Sequence, residues 1–177
     1  MKIFVDCGAN RGQSVEKFRE LFPDHEEYVI YCFEPHAELA LNIDISPNEG
    51  EVFAEAVDTR YGYADFYRGP STLGSTLFPD KITGDIAKIP TPVRSCNLPK
   101  FIREIPEVDD FVVLKLNVEG SEYPILREML DTGIIPRINR LFVRWHYMKI
   151  PSISEVVHHR LIKDLKKAGV VCEDLFW

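Results

Sequence analysis

The stretch "FVDCGANRGQS", residues 4–14, decides the fold, because an apolar run passes there into a glycine-rich turn within a few residues. A strand, a turn and a helix in this order are typical of parallel α/β proteins. Gly8 permits a tight turn with bare backbone towards a ligand, and Gly12 permits a close start to the next helix. The spacing is not G-x-G-x-x-G, so the dinucleotide fingerprint is not met. Asp6 would repel a pyrophosphate and suits a cationic or amine-bearing ligand.

The same alternation of strand-like and helical patterns continues along the chain, which predicts one α/β domain over residues 1–177. We expect a Rossmann-like, mostly parallel sheet with helices on both faces. The predicted strands are 2–6, 28–35, 51–59, 62–68, 111–117, 140–147 and 170–177. The predicted helices are 12–23, 36–43, 97–105, 121–133 and 152–169.

The segment 69–93 interrupts this alternation and is rich in Gly, Pro, Ser and Thr. A long segment without secondary structure is uncommon in a compact domain and usually carries function. We therefore expect a lid or substrate loop over 69–93. The alternative is a flexible insertion without a function.

Composition and charge argue against a membrane-spanning, a secreted or a nucleic-acid-binding protein. With 45% hydrophobic and 28% charged residues, the chain has the composition of a soluble globular protein. It contains no apolar run of the roughly 20 residues that a membrane span needs, and its first residues reach an acid too early for a signal peptide. The four cysteines form no C-x-x-C pair and are expected to be reduced core residues of a cytoplasmic protein. The net charge of -7 argues against nucleic acid as the main partner.

An acid follows the second predicted strand. In an open parallel sheet, ligands bind beyond the carboxyl ends of the strands, so the residues just after each strand are informative. Glu34 lies about 20 residues beyond the glycine turn, where a carboxylate accepts hydrogen bonds from a ribose diol. Turn and acid together indicate a nucleoside-bearing cofactor. The alternative is a structural turn and a surface carboxylate.

Five segments carry a more specific signal: FVDCGANRGQS (4–14), CFEP (32–35), AVDTRYGYADFY (56–67), GSTLF (74–78) and LKLNVEGSEYPILREML (114–130). Taken in this order, they resemble the FkbM-type S-adenosylmethionine-dependent methyltransferases of class I, over residues 3–146. The K-x-[D/N]-V-E-G-x-E pattern at 115–122 is more specific than the glycine turn. The resemblance implies the sheet order 3-2-1-4-5-7-6 and S-adenosylmethionine as the cofactor.

The resemblance also implies which residues hold this cofactor. Glu34 would bind the ribose hydroxyls, and Asp6 would face the amino group of the cofactor directly or through water. The methionine and ribose part would be lined by Asp6, Gly8, Asn10 and Gly12. The adenine would be flanked by Ala56, Val57 and Asp58.

A second polar cluster follows the fourth parallel strand, where Asn117, Glu119 and Glu122 come shortly after Lys115. Members of the family usually have Asp where this chain has Asn117. An Asn cannot act as a base and is at best a neutral metal ligand, so we do not favour a divalent metal ion. Glu119 becomes the first choice for substrate contact or general base. The alternative is that Glu119 and Gly120 merely cap the next helix.

His146 follows the fifth parallel strand and is a further catalytic candidate. At the carboxyl end of that strand, an imidazole could reach the proton of a substrate. The alternative is that His146 is only a hydrogen-bonded polar group in the fold.

These features favour an S-adenosylmethionine-dependent O-methyltransferase that acts on a sugar, glycan or other small molecule. Two alternatives stay open. One is a methyltransferase acting on nitrogen or on RNA, and the other is a cofactor-binding but inactive module or partner subunit, which Asn117 motivates. Only VVCEDLFW (170–177) is left to supply the hairpin that normally closes such a sheet. Either the domain is minimal or the sheet is completed otherwise, for example by a partner or by a second copy of the chain in a homo-oligomer.

Overall fold

The computed structural model describes residues 1–174, and nine strands and five α-helices lie within them. The strands are β1 (Lys2–Cys7), β2 (Tyr28–Phe33), β3 (Gly50–Phe53), β4 (Ala56–Asp58), β5 (Gly62–Phe66), β6 (Thr91–Asn97), β7 (Phe111–Leu116), β8 (Arg140–Val143) and β9 (Cys172–Asp174). The helices are α1 (Gln13–Leu21), α2 (Ala37–Ala40), α3 (Leu98–Glu104), α4 (Glu122–Asp131) and α5 (Glu155–Lys167). None of these helices is long and apolar enough to cross a membrane.

Six strands form one parallel sheet in the order β3-β2-β1-β7-β8-β9. This confirms the predicted Rossmann-like α/β class. The first five positions agree with the expected order, because β7 and β8 are the fourth and fifth strands of this sheet. The last position differs from it. β9 pairs directly with β8, where the expected order places strand seven, and the described residues add no further strand at that edge.

The predicted strand 51–59 is wrong as a single element, because it forms two strands in two sheets. β3 belongs to the main sheet, whereas β4 belongs to a three-stranded sheet of order β4-β6-β5. β6 was not predicted, and it begins inside the expected loop 69–93. It pairs in parallel with β4 and antiparallel with β5. The break at Ala54 and Glu55 carries the chain past the carboxyl end of β3, the edge at which parallel sheets bind ligands.

The main sheet is covered on both faces, as the side chains of β1 illustrate. Ile3 and Val5 belong to the larger apolar cluster, which includes residues of α3, α4 and α5, whereas Phe4 belongs to a second cluster. Phe4 stacks on Phe18 of α1 with the ring centroids 4.1 Å apart. A strand buried on both faces reads as a continuous apolar run, which is why the sequence pattern of β1 was informative.

The four cysteines lie within the described residues as free thiols, and Cys7, Cys32 and Cys96 are buried. Burial raises the pKa of these three thiols. They therefore stay protonated near neutral pH and pack as small apolar side chains, as the sequence analysis expected.

Candidate functional site

A cavity of about 410 Å³ lies at the carboxyl ends of the main-sheet strands, and its size is typical of small-molecule sites. Its walls come from the turn after β1, the residues after β2, the start of β4 and the segments after β7 and β8. The remaining wall is formed by Phe66 of β5, residues 72–77, Lys81, Thr83 and Gly84. The cavity thus lies where the sheet order reverses between β1 and β7, the usual ligand position in such folds.

The glycine turn brings backbone to the cavity wall. Gly8 lines the cavity with φ 77°, and a Cβ on it would lie 2.2 Å from the carbonyl oxygen of Asn117. The turn is tied to β2, because the amides of Gly8 and Ala9 donate to Phe33 O at 2.9 and 3.1 Å. Gly12, with φ 86°, is the N-cap of α1 and lies outside the cavity lining. Gly8 therefore serves close approach at the cavity, and Gly12 serves the start of the helix.

Glu34 is held at the cavity wall by backbone donors. The amide of Asn10 donates to Oε2 and the amide of His36 donates to Oε1, both at 2.9 Å. Burial raises the pKa of this carboxyl group, although the two amides oppose the shift. Asn10 adopts the left-handed conformation with φ 51° and also lines the cavity. The two amides thus fix the orientation of the Glu34 carboxylate, and Glu34 lines the cavity.

Asp6 lies behind the turn instead of in the cavity wall. Its side chain is fully buried, and Lys115 Nζ is 2.7 Å from Oδ1 while Ser14 Oγ donates to Oδ2 at 2.5 Å. Lys115 Nζ also donates to the carbonyl oxygen of Gly8 at 2.9 Å. Asp6 therefore positions the glycine turn through Lys115. Its expected contact with the amino group of a cofactor stays a prediction.

The residues expected around adenine separate into two groups. Ala56 and Val57 in β4 line the cavity, whereas Asp58 lies outside the lining. Glu55, which the sequence analysis did not single out, does line it and is paired with Arg94 at 3.0 Å. The break between β3 and β4 places Glu55 there, and no pattern in the sequence predicted that break.

Asn117 and Glu119 both line the cavity beyond β7. Glu119 has φ 48°, and its carboxylate is the centre of an ion cluster. Oε2 lies 2.8 Å from Lys81 Nζ and 3.4 Å from Lys149 Nζ, and Oε1 lies 3.2 Å from His146 Nε2. Burial acts to raise the pKa of Glu119, but His146 and Lys81 outweigh it and lower that pKa. A carboxylate stabilised in this way is a weak proton acceptor.

His146 is enclosed between two carboxylates and lies outside the cavity lining. Its Nδ1 is 3.1 Å from Glu122 Oε1, and its Nε2 faces Glu119. Burial acts to lower the pKa of His146, but the two carboxylates outweigh it and raise that pKa. Glu122 is itself fully buried and accepts hydrogen bonds from the amides of Gly120 and His146. In this arrangement His146 connects β8 to the start of α4, and its expected role as a base stays a prediction.

The segment expected to be a lid is docked onto the cavity. Thr76 Oγ1 donates to the carbonyl oxygen of Glu119 at 2.6 Å, and the amide of Ile82 donates to Lys149 O at 2.9 Å. Asn10 Nδ2 donates to the carbonyl oxygen of Thr72 at 3.3 Å. These bonds connect the segment to the glycine turn on one side and to the segments after β7 and β8 on the other. The role of 69–93 as a lid or substrate loop stays a prediction.

Two further residues of the wall were missed by the sequence analysis. Lys81 of the segment 69–93 is buried and donates to the carbonyl oxygen of Gly74, besides its ion pair with Glu119. His36 lines the cavity with Nε2 3.1 Å from Ser75 Oγ, and burial lowers its pKa. In the sequence Lys81 lies in the polar segment 69–93 and His36 begins the short predicted helix 36–43, so no signal separated either residue from the surface. Within residues 1–174, no three His, Cys, Asp or Glu side chains are grouped so that they could hold a metal ion.

The comparisons with known proteins identify one family whose model matches this chain. The family model described as the methyltransferase FkbM domain matches residues 6–170, which is nearly the whole chain and includes every segment that lines the cavity. No curated protein and no solved structure matches the chain. A match of this extent identifies the family, and the chain therefore belongs to the FkbM methyltransferase family.

Proposed function

We propose that this methyltransferase uses S-adenosylmethionine and transfers the methyl group to a hydroxyl of a sugar, glycan or other small molecule. The family supports methyl transfer, and methyltransferases of this kind generally use S-adenosylmethionine. The observation that carries the proposal is Glu34, a buried carboxylate whose orientation is fixed by two backbone amides at the cavity wall. A carboxylate in this position suits the two hydroxyls of a ribose.

The other walls fit the remaining parts of this cofactor. The apolar residues Ala56, Val57 and Phe66 suit the faces of an adenine ring, and the bare backbone at Gly8 suits a close-lying amino-acid moiety. When bound, S-adenosylmethionine supplies a methyl group that its sulfonium already activates. The protein's own contribution is then to orient the acceptor, to exclude water and to receive the proton of the acceptor hydroxyl.

Glu119 is our candidate for receiving that proton, because it lines the cavity beyond β7. Its lowered pKa makes it a weak base, and Asn117 beside it cannot act as one. We therefore propose that most of the rate enhancement comes from alignment of the acceptor with the methyl group under the closed lid. The second candidate is an inactive cofactor-binding module, because a site with only a weak base also fits a protein without catalytic activity.

Calorimetry tests the cofactor assignment. S-adenosylmethionine is expected to bind the unmodified protein, and Glu34→Gln is expected to weaken binding by about tenfold or more, because a charged acceptor of the ribose hydroxyls is lost. Glu51→Gln is the matched control, since Glu51 is an exposed glutamate in β3 outside the cavity. An unchanged affinity of Glu34→Gln would contradict the placement of the ribose.

The same protein separates the enzyme from the inactive module. Formation of S-adenosylhomocysteine is measured across a panel of neutral, acidic and phosphorylated sugars, glycans and phenols, with nitrogen acceptors and short RNAs included. Turnover only with hydroxyl acceptors supports the proposal. Binding of S-adenosylmethionine without turnover supports the inactive module, and turnover with amines or RNA supports the nitrogen- or RNA-directed alternative. An absence of cofactor binding contradicts both the enzyme and the module.

A further inference from the structure

The end of the cavity formed by the segments after β7 and β8 carries an excess of cations, and we propose that it binds a carboxylate or phosphate group of the acceptor. This inference rests on the proposed function and specifies its substrate class. The sheet order β2-β1-β7-β8 separates Arg144, directly after β8, from Glu34, directly after β2. Three strand spacings correspond to about 14 Å, so Arg144 lies well away from the expected ribose position.

Arg144 is a cation at this end whose side chain is available to a ligand. It lines the cavity and is exposed, and its guanidinium has no hydrogen bond or ion pair with the part of the chain that the structure describes. A guanidinium offers a planar set of donors that matches a carboxylate or a phosphate in two parallel hydrogen bonds. A free guanidinium in a cavity wall is therefore suited to an anion.

Lys149 is a second cation at this end with capacity for a ligand. Its Nζ lies 3.4 Å from Glu119 Oε2, whereas Lys81 Nζ lies only 2.8 Å from the same oxygen. Lys81 is therefore the main partner of Glu119, and the side chain of Lys149 is 35% exposed. At this end the lining cations Lys81, Arg144 and Lys149 thus outnumber the one lining carboxylate, Glu119. The other two lining carboxylates, Glu34 and Glu55, follow β2 and β3 at the opposite end. Within a concave site this surplus attracts an anion.

The cofactor carries a carboxylate of its own, which is the competing partner for Arg144. The two possibilities lead to different results, because a substitution of Arg144 weakens the binding of only that ligand which Arg144 contacts. The neutral side chains of Asn117 and Ser121, which also line this end, can hydrogen-bond acceptor hydroxyls without a charge. The preference for anionic over neutral acceptor probes, measured with S-adenosylhomocysteine already bound, therefore decides whether Arg144 binds the acceptor or the cofactor.

The experiment uses the full chain saturated with S-adenosylhomocysteine and titrated in a calorimeter with three probes. These are glucuronate, glucose 6-phosphate and the neutral methyl glucoside. At least one anionic probe is expected to bind about tenfold or more tightly than the neutral probe, and the tighter of the two anions identifies the group as carboxylate or phosphate. Arg144→Gln is expected to remove this preference and to leave the affinity for S-adenosylhomocysteine unchanged.

Arg103→Gln is the matched control, because Arg103 is an exposed arginine on α3 outside the cavity lining. It is expected to retain both affinities. Equal binding of neutral and anionic probes, or no binding of either anion, overturns the inference while the cofactor assignment stands. A loss of S-adenosylhomocysteine affinity in Arg144→Gln also overturns it and assigns Arg144 to the carboxylate of the cofactor. Failure of the unmodified protein to bind S-adenosylhomocysteine refutes the proposed function, and this inference with it.

Discussion

Glu34 and Glu119 are carboxylates at the same edge of the same sheet, yet their surroundings give them opposite properties. Glu34 follows β2, has two backbone amides as donors, and burial raises its pKa. Glu119 follows β7, and although burial acts in the same direction, His146 and Lys81 outweigh it and lower its pKa. Glu34 is therefore suited to accept hydrogen bonds from a ligand, whereas Glu119 is engaged in ion pairs with Lys81 and His146 and is only a weak proton acceptor. An acid at a strand end predicts a site but leaves its chemistry open.

The backbone after Glu119 packs tightly against the segment 69–93 at Gly120. Gly120 has φ 119°, and a Cβ on it would lie 2.3 Å from Ile150 Cδ1 and 2.8 Å from Phe78 Cδ2. Phe78 belongs to the lid, so the backbone after Glu119 is in direct contact with it. At the Glu34 end, Glu38 pairs with His36 at 3.6 Å and with Arg68 at 3.4 Å, and Glu34 itself has no ion pair within the described residues. The segment 69–93 meets this end through single hydrogen bonds at Asn10 and His36. Variants at the two ends should therefore differ in stability and in ligand binding.

The largest effect on stability is expected for His146→Leu. This change leaves the fully buried carboxylate of Glu122 without its cationic partner, which costs about 3–5 kcal/mol of unfolding free energy. Glu34→Gln, in contrast, keeps an oxygen acceptor for one of its two amides and is expected to cost about 1–3 kcal/mol. Urea denaturation monitored by circular dichroism measures both variants.

His159→Leu is the control for this comparison, because His159 is an exposed residue of α5 and its change is expected to stay within about 0.5 kcal/mol. If His146→Leu and Glu34→Gln had equal unfolding free energies, the ion cluster around Glu119, His146 and Glu122 would not contribute more to stability than the hydrogen bonds of Glu34. The contrast between the two carboxylates would then lose its physical basis.

A smaller effect is expected for Lys81→Met, which removes one of three cations around Glu119. His146 and Lys149 still face that carboxylate, so the loss falls mainly on the docking of the lid. The lid is expected to open about tenfold more often, because one charge-assisted contact is removed. Limited proteolysis within residues 69–84 measures this opening.

Lys88→Met is the control for the lid, because Lys88 is an exposed lysine of the same segment. Its cleavage rate is expected to match that of the unmodified protein. Equal cleavage of Lys81→Met and Lys88→Met would show that the ion pair with Glu119 does not hold the lid.

The parts that were predictable from sequence are those determined by local patterns. β1, β2 and β7 are apolar runs, β1 leads directly into the glycine turn, and Glu34 could be placed because it directly follows β2. The parts that were not predictable depend on contacts between distant segments. β6 contains Pro92, Arg94 and Ser95, which read as a loop, and only its pairing with β4 and β5 makes it a strand.

The chemistry of the second carboxylate depends on the same kind of distant contact. The sequence places Glu119 after β7 but does not show that Lys81 reaches it from the lid, nor that His146 lies between it and Glu122. A lysine in a polar segment is normally solvated, so its burial follows from tertiary packing alone. The pKa of a strand-end acid is therefore decided by partners that a single sequence does not identify.

The smallest expected effect is the pH dependence of the stability that the ion cluster contributes. The pKa of His146 is raised in the fold, so its contribution is complete below the ordinary histidine pKa of about 6.5 and is lost as the pH rises through the folded value. The pKa of Glu119 is lowered, so its contribution is present above about 4.3 and is lost as the pH falls through the folded value. The cluster is therefore most stabilising in mildly acidic solution. Urea denaturation of the unmodified protein and of His146→Leu should show a larger stability difference at pH 6 than at pH 9, whereas a constant difference would mean that the fold does not raise the pKa of His146.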